Sequence, residues 1–283
     1  MMKLPISVIV LTYNEEDNIR DCLESVQGWA DELFIVDSGS NDKTMEIARE
    51  YTDKIYTHPF KDYADQRNWV QSSLPIKNEW IFHLDADERV SRELIAELEE
   101  RFHPKIDIDG FMMSRKTIFR NKWIKHGGHY PVYHLRIFKK SKGRCEERLY
   151  DQHFIVDGKI EKVKGDIINI IEPDLRLLNA KQRKWAHSEA REILLNKKRT
   201  INVKFKGTPI ERRNWFRYNI YYAMPLFIRP TVYFLYRFVI RLGFLDGPEG
   251  LIFHFWQGLW YRFLVDREIF RMRTRHQYIS GNK

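Results

Sequence analysis

Trp80-Ile81-Phe82-His83-Leu84-Asp85-Ala86-Asp87-Glu88 is an apolar run that ends abruptly in carboxylates. The run has strand character. A strand sends alternate side chains to the same face, so Asp85 and Asp87 can converge at its carboxyl end. Two hard oxygen ligands beside a sheet edge suit a divalent cation that also holds a diphosphate, because Mg²⁺ binds one or two carboxylates plus phosphate oxygens. An acidic turn after a strand gives the same letters. What separates the two readings lies upstream.

Ile6-Ser7-Val8-Ile9-Val10-Leu11 reads as a buried strand and stops at Thr12-Tyr13-Asn14-Glu15-Glu16. Ile19, Cys22, Leu23 and Val26 then recur at helical spacing. Leu33-Phe34-Ile35-Val36 is a second strand, ending in the small polar turn Asp37-Ser38-Gly39-Ser40-Asn41-Asp42. A helix face at Ile47, Ala48 and Tyr51 follows, then a short strand at 54–57, a helix over 63–73, and the run ending at Asp85. Ser91 is placed to cap a further helix whose apolar face is Leu94, Ile95, Leu98 and Phe102. This alternation predicts an α/β fold with a mostly parallel sheet covered on both faces. Ligands of such sheets sit beyond the carboxyl ends of the strands. The polar clusters at 12–15, 37–42 and 85–88 all fall there.

From Gly110 the pattern changes. Strands are read at 110–115 and 133–138, separated by a loop carrying His126-Gly127-Gly128-His129, and helical composition begins at Leu175. The predicted organisation is a catalytic domain over 1–175, with a donor half at 1–109 and an acceptor half at 110–175, and a basic, aromatic helical region over 176–283.

The chain has 283 residues, 43% of them hydrophobic, which is ample for a core without staples. Its two cysteines, Cys22 and Cys145, lack C-x-x-C spacing, which suits a reducing compartment and gives no zinc site. The few residues before the first strand read as no secretory leader. The formal net charge of +9 is unevenly spread. Residues 196–283 hold 17 Lys/Arg against 5 Asp/Glu, a net of +12, while residues 1–195 net −3. A near-neutral body with a basic tail points to an anionic surface, either lipid head groups or nucleic acid. In the tail, Arg217, Arg229, Arg237, Arg241, Asp246 and Arg262 interrupt every long apolar stretch, which disfavours a spanning helix. Aromatics mixed with arginine suit the membrane–water boundary. A basic helical subdomain packed on the core is the plainer reading.

Residues 6–100 resemble the family 2 glycosyltransferases, which have the GT-A fold. The resemblance rests on the first strand with T-Y-N-E, on 36–44, on Asp65-Gln66-Arg67-Asn68 and on Leu84-Asp85-Ala86-Asp87-Glu88, in that order and spacing. More loosely, Tyr133-His134-Leu135-Arg136-Ile137-Phe138 and Leu245-Asp246-Gly247-Pro248-Glu249-Gly250 look like the branch containing lipopolysaccharide-core and other cell-envelope glucosyltransferases. The resemblance implies a nucleotide-sugar donor, usually a UDP-sugar, and inverting transfer with Mn²⁺ or Mg²⁺. It implies that Thr12, Tyr13 and Glu15 line the nucleotide pocket, that Asp37 meets the uracil ring and that Arg67 lies beside the nucleotide. It also places Asp85 and Ala86 against the ribose or sugar and makes Asp87 the metal ligand. Glu15 as a helix-start carboxylate, Asp37 as a turn cap and Arg67 as a solvated helix residue stand as the structural alternatives.

The base that takes the acceptor proton belongs to the acceptor half. Family members commonly have an E-D or H-E pair there, whereas this chain has Glu146-Glu147 and Tyr150-Asp151-Gln152-His153. Asp151 is the first candidate and Glu147 the second, against a surface acidic cluster. His153 is a candidate for the metal shell, against a structural histidine. Gln182-Arg183-Lys184-Trp185 is one residue short of the Q-x-x-R-W signature of processive synthases, so single addition is expected. The expected acceptor is a lipid-linked or envelope glycan, and the expected location is cytoplasmic, peripheral on the inner face of an anionic membrane, with no nucleic acid bound. A nucleic-acid-binding protein using the tail is the alternative from another class, though it leaves the acidic rim unexplained. A nucleotidyltransferase is the other, though a Gly-rich basic phosphate loop is missing after the first strand.

Overall fold

The computed structural model describes residues 3–103, 106–147, 152–195, 205 and 215–280, with side chains as far as 274. The chain forms two compact units. One comprises residues 1–118, 129–147 and 152–171; the other comprises 119–128, 148–151 and 172–283.

The first unit is built on a sheet. Its strands are β1 (Leu4–Thr12), β2 (Ala30–Asp37), β3 (Ile55–Thr57), β4 (Trp80–Asp85), β5 (Glu88–Val90) and β6 (Gly110–Phe119); after β7 (Lys122–Ile124), which falls in the second unit, come β8 (Tyr133–Lys139), β9 (Gly143–Cys145), β10 (Phe154–Val156) and β11 (Ile160–Ile171). The sheet runs β3-β2-β1-β4-β8-β6-β11-β5. β3, β2, β1 and β4 are parallel. β8 pairs antiparallel with β4 and with β6, and β11 pairs antiparallel with β5. β9 and β10 form a separate hairpin. The helices are α1 (Ile19–Val26), α2 (Thr44–Ala48), α3 (Tyr63–Ser73) and α4 (Arg92–Arg101).

The period of two in β1 divides its side chains between two cores. Ile6, Val8 and Val10 face one core with Ile19, Cys22 and Leu23 of α1 and Leu94 and Leu98 of α4. Ile9 and Leu11 face the other with Ala64 and Val70 of α3 and Phe154 of β10. Both faces of the sheet are therefore covered, as the alternation predicted. Ser91 caps α4, its Oγ accepting from the Leu94 N–H at 3.2 Å. Helix α4 lies so close to β11 that a Cβ on Gly165 would stand 2.2 Å from Leu94 Cα.

The long β11 and the β9–β10 hairpin were not anticipated. Val163, Gly165, Ile167 and Asn169 alternate inward along β11, but the intervening lysines and aspartate make the segment look like a loop.

The second unit contains α5 (Leu175–Leu195), α6 (Ile228–Leu235), α7 (Gly247–His254) and α8 (Tyr261–Ser280), joined partly by wider helical turns. Ala186 and Ala190 of α5 pack on Tyr261, Leu264, Val265 and Ile269 of α8. Buried ion pairs reinforce this small core. Arg229 bonds Asp266, Arg262 Nη1 donates to Glu189 at 2.6 Å, and the Tyr261 hydroxyl donates to Glu189 at 2.7 Å. Arg229 and Arg237 are thus buried, although arginine among aromatics was read as suited to a membrane–water boundary. Gln182 is also buried, its amide near the Trp256 carbonyl, so the Gln182–Trp185 stretch serves packing. His126 is held on its loop by Asp246, Nδ1 to Oδ1 at 2.6 Å. Gly127 beside it has φ +65°, and a Cβ there would stand 2.1 Å from the His254 ring. Among the described residues, no helix is long and apolar enough to cross a membrane.

Candidate active site

Strand register gathers the three polar clusters. Thr12 pairs with Asp37 across β1–β2, and Leu11 pairs with Asp85 across β1–β4. The carboxyl ends of β2, β1 and β4 thus stand side by side on the rim where parallel sheets bind ligands.

At the end of β2, Asp37 is buried and closes its own turn. Its carboxylate accepts from the Gly39 N–H at 3.0 Å, the Ser40 N–H at 3.0 Å and the Ser40 hydroxyl at 2.6 Å. Gly39 adopts φ +97°, which suits glycine in this tight turn. At the end of β1, Thr12 is buried, its hydroxyl lacking a partner among the described residues. Tyr13 is 54% exposed, an aromatic face presented at the rim. Glu15 lies just before α1: its carbonyl accepts from Ile19 N–H at 2.8 Å and its carboxylate from Asn18 at 2.7 Å.

At the end of β4 lies an ion-pair group. Arg67 of α3 and Arg136 of β8 each donate to Asp85, both at 3.1 Å. Arg136 also donates to Glu88 at 2.9 Å, and Glu88 in turn accepts from the Asp85 N–H at 3.1 Å. The Arg115 guanidinium is 3.8 Å from Glu88. Burial opposes the charge on Asp85, but Arg136 and Arg67 outweigh it and hold the carboxyl well below the usual range. Arg67 Nε and Arg136 Nη1 are buried donors without a partner among the described residues. Ala86 is buried, its N–H donating to the Leu11 carbonyl at 3.1 Å.

Asp87 contrasts with Asp85. No hydrogen-bond donor or ion-pair partner meets its carboxylate among the described residues. Burial, then the charges of Asp85, Glu88 and Glu15, push it up to about 7, and Arg115 opposes them. A carboxylate crowded by three others gains most from an added cation. Among the described residues, no group of three or more His, Cys, Asp or Glu gathers to hold a metal ion by itself. The donor set therefore fits a cation whose remaining ligands come from phosphate oxygens and water, the habit of Mg²⁺.

The acceptor-side candidates are placed less closely. His153 is bound to Glu146, with Nδ1 and its N–H at 2.9 and 3.0 Å from Glu146 Oε1. Among the described residues it is not part of any group of three or more His, Cys, Asp or Glu that could hold a metal ion. Glu147 is exposed, and Asp151 lies outside the described residues. Three contributors were given no role by the sequence reading: Glu88, Arg136 and Arg115. Arg136 left a trace, as a lone cation within the otherwise buried stretch Leu135-Arg136-Ile137-Phe138.

The family model for glycosyl transferase family 2 matches residues 7–158, more than half of the chain. The chain belongs to that family. The lipopolysaccharide core biosynthesis glycosyltransferase LpsC of Rhizobium meliloti (strain 1021) is 27% identical over 218 residues, 73% of this chain and 78% of its own length. An uncharacterized glycosyltransferase of Rickettsia bellii (strain RML369-C) is 39% identical over 97 residues, 34% of this chain; the chain thus spans about a third (32%) of that relative's length. Among solved structures, S. aureus TarS 1–349 in complex with UDP aligns over 99% of this chain and 92% of its own, at 16% identity and a TM-score of 0.44. Most of the matched region lies in the sheet unit, where the rim clusters are, while residues 119–128 of it fall in the second unit.

Proposed function

We propose that this family 2 glycosyltransferase moves one sugar from a UDP-sugar to an envelope glycan, with inversion and with Mn²⁺ or Mg²⁺ bound. The observation that carries the reading is the division of labour at the end of β4. Asp85 is paired with two arginines, and Asp87, two residues on, has no ion-pair partner within reach among the described residues.

Tyr13 offers its exposed ring to the base, and Thr12 and Glu15 complete that side of the pocket. Asp37 keeps the β2 turn shaped for the uracil and retains acceptor capacity, since a carboxylate has about four lone-pair sites. Arg67 and Arg136 fix Asp85 and direct its free lone pairs to ribose or sugar hydroxyls, with Ala86 keeping the backbone close. Asp87 would hold the cation, and His153 would be a further ligand. A divalent cation bound there neutralises charge on the departing nucleoside diphosphate. The acceptor hydroxyl oxygen bonds to the anomeric carbon as the bond from that carbon to the diphosphate oxygen breaks, and Asp151, or else Glu147, takes the hydroxyl proton. Attack opposite the leaving group inverts the anomeric centre.

The role of LpsC in lipopolysaccharide core biosynthesis supports a lipid-linked envelope glycan as acceptor. Such an acceptor is presented at a membrane surface, so peripheral contact with an anionic membrane belongs to the reading. The test is hydrolysis and transfer from UDP-sugars with and without Mn²⁺ or Mg²⁺, comparing the parent chain with Asp87→Ala. The reading expects turnover only with the cation and only in the parent. Equal turnover by the two proteins rules out the role given to Asp87.

A further inference from the structure

A helix made for water buries its aliphatic stripe and shows its charges. Residues 228–240, comprising α6 and the wider turn continuing it, do the reverse. Ile228, Val232, Leu235 and Val239 recur at i, i+4, i+7 and i+11 and so share one face. Each is 43–57% exposed, and Ile240 beside them is 68% exposed. The cations of the same stretch are inside. Arg229 and Arg237 are 3% and 9% exposed. Arg229 Nε donates to Asp266 at 2.7 Å, and Arg237 Nε donates to the Gly127 carbonyl at 2.7 Å. These buried bonds fix the helix's rotation, so the aliphatic face is held outward by the fold. The chain that follows keeps Leu242, Phe244 and Leu245 about half exposed as well.

Charge decides what covers this face. A second copy of the chain would bring together two segments that over residues 215–274 each hold 8 Lys/Arg against 4 Asp/Glu, a net of +4, and like charges facing each other across an interface cost affinity. An anionic bilayer reverses the sign of that contribution, and basic residues near its surface are each attracted to it. The same unit carries exposed arginines: Arg241 at the end of the stripe, and Arg267, Arg271 and Arg273 on α8, of which Arg267 and Arg271 also pair with Glu268. Helices that lie in the interface plane sink an aliphatic face into the head-group boundary and keep arginine at head-group level. We infer that the Ile228–Ile240 face seats the chain on an anionic lipid bilayer, parallel to its surface. The inference rests on the proposed peripheral contact for its place in sugar transfer, while lipid binding itself is measured without any sugar.

The experiment is sedimentation of the full chain with vesicles of phosphatidylcholine alone and with vesicles of phosphatidylcholine mixed with phosphatidylglycerol. Binding to the mixed vesicles is expected to be roughly tenfold or more tighter than to the neutral ones. Val232→Ser/Leu235→Ser is expected to weaken binding to mixed vesicles by roughly tenfold or more, since both side chains lose buried apolar area. Its thermal midpoint and its UDP-sugar hydrolysis in vesicle-free buffer should stay those of the parent. Ile228→Ser/Val239→Ser repeats the test should the first variant fail to fold. Equal binding by variant and parent, or equal binding to both vesicle types, overturns the inference. So does a parent dimer in light scattering that the variant loses, since the face is then a protein interface. Vesicle binding as expected in a parent that hydrolyses no UDP-sugar sustains this inference and defeats the transfer reading instead.

Discussion

In the sheet unit, Phe34, Phe82 and Phe138 are fully buried, and charge collects at one end of the parallel strands. In the helical unit, Arg229, Asp266 and His254 are buried, while Ile228, Val232 and Leu235 face outward. The contrast teaches that burial of charge does different work in the two. At the rim, two arginines stabilise Asp85 and leave Asp87 exposed to its neighbours' repulsion, a cost that a bound cation removes. In the helices, ion pairs are internal struts that set which face each helix turns outward.

The largest effect should follow from breaking a strut. Arg229→Ala leaves Asp266 buried without its partner, which is expected to cost about 3–5 kcal/mol in urea unfolding. Arg229→Met with Asp266→Leu should recover most of that loss, because a neutral pair of similar volume needs no counter-charge. If the single variant unfolds like the parent, the helical unit does not depend on its internal charges.

The rim should behave the other way round. Asp87→Asn is expected to lower turnover by about 10²–10³, the scale for removing one electrostatic contact to developing charge. It should not lower stability. The folded carboxyl is raised to about 7 from 3.8, so its destabilising effect is absent below the lower value, grows as pH rises between the two and is complete above the higher one. The stability advantage of Asp87→Asn over the parent should therefore be larger at pH 8 than at pH 5. A variant that is both inactive and less stable at pH 8 would contradict this.

A third difference concerns acid. Burial first, then Arg237, lowers His254 to about 4 from 6.5, although Asp246 pulls it back up. A depressed histidine contributes stability that is full above 6.5 and is lost as pH falls toward 4, here up to about 3 kcal/mol. Unfolding of α6–α8 followed by hydrogen exchange should show protection falling between those values before protection of β1 does. Simultaneous loss in both units would remove the distinction. The smallest effect is local: Ser91→Ala removes the α4 cap and should cost about 1 kcal/mol in the sheet unit.

Legibility in the sequence follows the same division. Contacts set by local period were readable: the strand ends at 12, 37 and 85, the cap at Ser91 and the helix over 63–73 all appear where expected. Arg136 and Glu88 were not readable as a pair, because 48 residues separate them and only the β4–β8 antiparallel pairing brings them together. Strand β11 was masked by its own solvent face, where lysines alternate with the buried positions. In the helical unit, composition showed arginine among aromatics, but which way Arg229 and Arg237 turn depends on Asp266 and on the Gly127 carbonyl, 37 and 110 residues away.

The most direct test of the central claim is calorimetric titration of UDP into the full chain with and without Mn²⁺, for the parent and for Asp87→Asn. The account predicts that Mn²⁺ tightens UDP binding by about tenfold or more in the parent, and that the variant loses this gain. UDP binding that is indifferent to Mn²⁺ in the parent, or equally strengthened by it in the variant, would contradict the claim that Asp87 is the uncompensated charge the donor site uses.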